Sequence, residues 1–442
     1  METEPLDAKF TSFELPSTIE PRDATVAIPV SNGIQQRFFF INMRTHKALM
    51  VRYPRRAGLK TKDAFAFLYH LCSFARRDGD RFFPRTRTFF RRYHNGISFL
   101  ELLYKVSKPH GITYIGNQRY LVSLWSASTY FIIDLKKQTA ELQMLSKKRN
   151  EVFSTYQCYD EEENETYFAT QEGDDELYKH ASEDYDFVVP IKIKKYNWKT
   201  NEISQLWHGG FNTDTHHIGL SKDKSYLGLV NFGDFFDKDK NLIPSKILIL
   251  DLRTKKEWWI DNTGWSPSAH IDWDPVEPDI CYLSCHSGVI TSADSLLKFF
   301  LQKIYKWNIF GTASVHKYRI TETGPEKMAI FTHPELFRMT IHKVFLHRGK
   351  KLLACTGFPN FIFIVDADSM EFTRKIAIKE KSGKDSFVGS LFPSPDGDTI
   401  YLATAGSFLA VDVESGTVDL TQDLGKVYDP FNHMTCVNDT NW

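Results

Sequence analysis

Four histidines stand at equivalent places in this chain. His217, His270, His342 and His433 each head a short run in which side-chain character alternates, as in His270-Ile-Asp-Trp-Asp274. Neutral imidazole suits iron, copper, zinc or nickel, so four of these rings at one level would make a metal site. A ligating histidine also needs an acceptor for its other nitrogen, and Glu101, Asp214 or Asp272 could serve. Aligning the remaining phrases on their turns puts Ser390 and Tyr156 at the corresponding positions, as further channel residues. His216, His286 and His347 fall at turns or on the opposite strand face, outside the cluster. The competing reading has the cluster histidines bond neighbouring strands and bind no metal.

These residues are positioned by a repeated strand–turn–strand phrase. Ser266–Gly288 holds its fullest form, with strands around Pro275-Val-Glu-Pro278. It recurs as His217–Ser221 with Ser225–Val230, His342–Leu346 with Lys351–Cys355, and Ser390–Pro393 with Thr399–Thr404. Breakers such as Ser394-Pro-Asp-Gly397 bound the runs, and period-two alternation fits strands. Two outer strands follow each phrase, and the third strand of a set often ends as in Asp251-Leu-Arg-Thr-Lys255 or Asp412-Val-Glu-Ser-Gly416. Six four-stranded sets run onward from Ile97. A seventh combines Ala24–Ile28 (ended by Pro29), Gln36–Asn42 and Ala48–Tyr53 with the strand His433–Val437. Joining them leaves no open sheet edge, which predicts an all-β, seven-bladed β-propeller closed by N- and C-terminal strands. The pattern resembles the broad YVTN/WD-like propeller class, without the Gly-His…Trp-Asp signature of WD40 repeats. Residues 1–23 read as a polar leader and 24–442 as one propeller domain.

Two insertions break the pattern, at 57–96 and 289–310. Lys62–Arg77 and Thr291–Trp307 both read as amphipathic helices. A Phe/Arg-rich segment, residues 76–92, follows the first. Between Arg52 and Arg92 there are 12 Lys/Arg against 3 Asp/Glu, and the interleaved Phe and Arg could bind anions, an acidic partner or single-stranded nucleic acid. The plainer reading is a solvated insertion whose phenylalanines pack on the blades.

Lys+Arg and Asp+Glu balance at 55 each, so global charge calls for no nucleic acid. The six cysteines are scattered, with neither zinc spacing nor a disulfide framework, which points to a reducing compartment. The start, METEPLDAKFTSFELP, has neither the basic nor the apolar region of a signal peptide, and no run has the length of a membrane span. A cytoplasmic chain is expected, with peripheral membrane or protein contacts through the insertions.

Two families share features with the histidine layout. The order His217, His270, His342, His433, with Ala269-His270…Asp274-Pro275, resembles carotenoid cleavage oxygenases, propellers that hold non-haem iron through four histidines. The interval from His342 to His433 is shorter than in that family. His270…Pro275…Pro278…Cys285-His286-x-Gly288 resembles oligogalacturonate lyases, with Ser287 where those carry an acidic residue. The first resemblance implies a metal-dependent oxidoreductase, a dioxygenase acting on a small apolar or aromatic substrate. Its metal would be Fe(II), with Cu, Mn or Zn also suited to the donors. The second implies a metal-assisted polysaccharide lyase, although the inner strands offer few cations to clamp a uronate. A non-catalytic interaction scaffold is the third reading.

Overall fold

The computed structural model describes residues 3–5, 8–15, 21–31, 36–52, 109–124, 129–144, 151–153, 157–172, 189–211, 215–231, 245–262, 268–285, 313–336, 339, 341–357, 360–379, 388–404, 406–424 and 433–442. Both expected helices and the segment 76–92 lie outside these residues, as do Glu101, Tyr156, Asp214 and His286. The described strands form seven antiparallel sheets, the blades of a seven-bladed β-propeller. No helix occurs among the described residues, and none there is long and apolar enough to cross a membrane.

The strands fall into two compact units. The first comprises Met1–Gly210, Ala405–Phe408 and Gln422–Trp442 and holds three sheets. One of these joins distant parts of the chain in the order Lys9–Glu14, Lys47–Arg52, Gln36–Asn42, Thr25–Ser31, Thr435–Val437. The shared blade expected from both ends of the sequence is therefore present, paired through Thr25↔Val437 and Ala27↔Thr435. Pro29 does not end its strand but sits within it, opposite Phe38. The ladder to Thr435–Val437 covers only Thr25–Ala27, so that edge needs no donor at Pro29. Residues from the expected polar leader also form strands: Lys9–Glu14 pairs with Lys47–Arg52, and Thr3–Pro5 pairs with Thr139–Met144.

The second unit, Phe211–Thr404 and Leu409–Thr421, is built on sheets opened by Thr215–Leu220, Ser268–Trp273, His342–His347 and Val388–Pro393. Neighbouring sheets bury their apolar faces together. Val230, Ile247 and Ile249 meet Ile271 and Trp273, and further along Ile362 and Ile364 meet Leu391 and Leu402. The approach is close enough to demand small residues. A Cβ at Gly228 would lie 2.2 Å from Ile271 Cδ1.

One turn recurs and explains the repeated Asp phrase. Asn42, Asp134, Asp160, Asn197, Asp251, Asp366 and Asp412 each accept a backbone N–H from two or three residues ahead. The residue four ahead takes positive φ: His46, Gln138, Asn164, Asn201, Lys255, Met370 and Gly416. A short side-chain acceptor thus substitutes for a backbone one and reverses the chain locally.

Candidate metal centre

The strands that open the sheets carry bulges, and these decide which histidines meet. Pairing slips between Thr215 and His217, between Ser268 and His270, and between Val388 and Ser390. A bulge inserts one residue and re-aims its side chain, so strict alternation fails across it. His216 is the inserted residue of the first, and it is buried together with His217. Both rings approach His270, each with its centroid 5.0 Å away and its plane inclined by 65° for His216 and 80° for His217. Alternation alone assigns His216 to the opposite face.

Each predicted ligand has a definite setting. His217 Nδ1 accepts the N–H of Ile271 at 3.4 Å, which places the proton of its neutral ring on Nε2. His217 therefore ties its own strand to the next sheet. His342 does the same in the other sense, donating from Nε2 to the Tyr282 carbonyl at 3.2 Å. Burial pushes His342 down to about 4, so the ring is neutral at physiological pH. His270 is buried, and its backbone N–H donates to Ser284 Oγ at 3.2 Å. His433 belongs to the first unit, where it is buried and its carbonyl accepts the N–H of Ile112 at 3.2 Å.

Asp272 is engaged elsewhere. Its carboxylate accepts the Val344 N–H at 2.8 Å and pairs with Lys343 at 3.2 Å, fastening the His270 and His342 sheets together. Ser390 is buried beside its bulge. His347 packs against a neighbouring sheet, with Asp398 3.0 Å from Nδ1 and Glu414 3.3 Å from Nε2. The described cysteines form no disulfide, and burial pushes Cys158 up to about 12 and raises Cys281 and Cys355 further, so none of these three is a thiolate nucleophile.

In chemical terms the second unit offers uncharged nitrogen donors in a buried setting, with His216 and His270 facing one another. Such donors fit a borderline transition metal better than calcium or magnesium, which need oxygen ligands.

No family model matches the sequence, and no curated protein matches it either. Among solved structures, one titled "Crystal Structure of Mitotic Checkpoint Complex" aligns with 55% of this chain and 63% of that chain, at a TM-score of 0.38 and 12% identity. The chain thus spans less than two thirds of that structure's own chain. The fold class rests on the seven sheets themselves.

Proposed function

We propose that this propeller binds a divalent transition metal through His216 and His270 and acts as a metal-dependent oxidoreductase on a small apolar or aromatic substrate. One observation carries the reading: the rings of these two buried histidines face one another with their centroids 5.0 Å apart. Neutral imidazoles leave the charge of the ion uncompensated, and their burial keeps competing water ligands few. Ferrous iron is the ion this reading names, because it brings redox chemistry and keeps coordination positions open beyond these nitrogens. His217 and His342 hold the surrounding strands through Ile271 and Tyr282 and act as positioning residues.

The test is metal content after reconstitution of the full chain with ferrous iron and, separately, zinc. The wild type should retain close to one equivalent of an ion. His216→Ala and His270→Ala should each lose most of it, whereas His217→Ala should retain it. Dioxygen consumption by the iron-loaded wild type would then support the oxidoreductase assignment. A wild type that takes up no ion, or alanine variants that keep it, would leave the fold as an interaction scaffold.

A further inference from the structure

Three cations stand side by side on the sheet that both ends of the chain build. In the ladder of Lys9–Glu14 on Lys47–Arg52, Lys9 lies directly opposite Arg52. In the next ladder Arg52 lies directly opposite Arg37 of Gln36–Asn42. Direct partners share a face, and neighbouring strands lie about 4.8 Å apart, so the three side chains form one row about 10 Å long. The row ends inward at Val30, which is buried.

Like charges directly opposite one another weaken a sheet. The same two outer strands match opposite charges at their far end, where Glu14 faces Lys47. The cationic end has no such match: among the described residues, no carboxylate forms an ion pair with Lys9, Arg37 or Arg52. Lys9 and Arg52 are exposed, whereas Arg37 is half-buried and its Nε is buried with no hydrogen-bond partner. Burial, and then Arg52, lower the pKa of that guanidinium, and Asp423 offsets only part of this. The stretch that Arg52 opens, up to Arg92, has 12 Lys/Arg against 3 Asp/Glu, so the sequence continuing from the row holds no surplus of carboxylates.

We propose that this row is a binding site for a small linear oligophosphate. Adjoining phosphoryl groups share a bridging oxygen, so each cation holds one group and Arg52, in the middle, serves both neighbours. The N–H donors of a guanidinium match phosphate oxygens in pairs, and Lys9 adds a point charge at the exposed end. Half-buried Arg37 anchors the inner end, where solvent screens its charge less. A single phosphate is too small to span the row. An acidic peptide fits it less well, because same-face side chains along a strand lie about 7 Å apart.

Isothermal titration of the full chain with inorganic tripolyphosphate in metal-free buffer should show saturable binding that weakens as salt rises. Orthophosphate should bind more weakly by a factor of about ten or more. Arg52→Gln removes the central cation and should weaken tripolyphosphate binding by a similar factor, and Lys9→Gln, at an exposed position, should weaken it too. Without ligand, Arg52→Gln should melt no lower than the wild type, because two like-charge contacts are gone. Arg44, in the turn at the other end of the sheet, pairs with Asp23 at 3.5 Å, and Arg44→Gln should bind as the wild type does. No saturable binding by the wild type overturns the proposal. So do undiminished binding by Arg52→Gln, an equal loss in Arg44→Gln, orthophosphate binding as tightly as tripolyphosphate, and binding of a polyglutamate peptide in place of tripolyphosphate.

Discussion

Replacing Lys351 by Met removes the cation from the most buried carboxylate of the second unit. Asp274 is fully buried, and the Lys351 ammonium lies 3.1 Å from its Oδ2, 2.6 Å from Glu277 and 2.6 Å from Asp368. Glu277 and Asp368 are 40% and 62% exposed, so their pairs contribute under about 1 kcal/mol each. The buried pair decides the outcome. Stripping the partner from such a charge costs about 3–5 kcal/mol. Asp274 keeps the N–H groups of Val276 and Glu277, both at 2.9 Å, and lies 3.1 Å from the Tyr282 hydroxyl. That places the cost near the lower bound, about 3 kcal/mol, or roughly 6–12 °C in melting temperature for a unit of this size. The sign with pH follows from Asp274. Burial alone raises its pKa, but the two N–H groups and Lys351 outweigh burial and hold it below the usual carboxylate value. Its contribution in the wild type is therefore present above the unfolded value of about 3.9 and lost as pH falls through the lower folded value. In Lys351→Met the unpaired carboxylate is penalised at neutral pH, and protonation relieves it. The gap between the two proteins should be widest at pH 7 and smaller at pH 4. Urea denaturation followed by circular dichroism at pH 7 and pH 4 measures it. A difference under about 1 kcal/mol at pH 7, or one that is equal at both pH values, refutes the reasoning. The double variant Asp274→Asn/Lys351→Met should recover most of the loss, because no buried charge is then left alone.

Gly397 takes φ +73°, and a Cβ there would lie 1.7 Å from the Leu346 carbonyl oxygen, so Gly397→Ala should cost about 2–4 kcal/mol by thermal unfolding. Gly349→Ala, at φ +79° with open space around it, should cost only about 1 kcal/mol and serves as the control. His342 and His316 are both pushed by burial down to about 4. Their unfolded forms protonate near 6.5, so stability should be complete above that pH and fall between 6.5 and 4, by up to about 3 kcal/mol for each ring. Denaturation midpoints across that range should slope accordingly, and should flatten in His316→Asn/His342→Gln.

Much of the fold is legible in the sequence because its turns are local chemistry. Ser394 Oγ accepts the Thr399 N–H at 3.0 Å, and Asp396 accepts that of Asp398 at 3.0 Å, all within one short stretch. Thr399–Thr404 and Ser314–Ile320 accordingly begin and end where their alternation does. Outer strands are fainter. In Lys9–Glu14 only Phe10 and Phe13 are partly buried, three apart, so no period of two marks the strand. The candidate site is the least legible part. His216 is the residue inserted at a pairing slip and His217 is the paired residue next to it, and a slip leaves no mark in residue type. Glu151–Phe153 and Cys158–Asp160 both pair with Glu165–Glu172.

The sheet that draws Thr435–Val437 onto Thr25–Ser31 sets the order of folding events. Thr25 Oγ1 donates to the carbonyl of Asp439, a partner 414 positions away, at 2.5 Å, and Trp442 Nε1 donates back to Thr25 Oγ1 at 3.1 Å. Hairpins such as His342–His347 with Lys350–Gly357 close over a handful of residues, and several other turns are bent by Asp and Asn side chains. By loop-closure entropy, the long-range pairing costs roughly 4 kcal/mol more to initiate than such a hairpin. During synthesis the other sheets acquire all their strands as the chain emerges, whereas this one waits for residues 435–437. Its slow step is a search between distant segments, and until that search succeeds the Thr25–Ser31 strand presents a bare edge to any neighbouring chain.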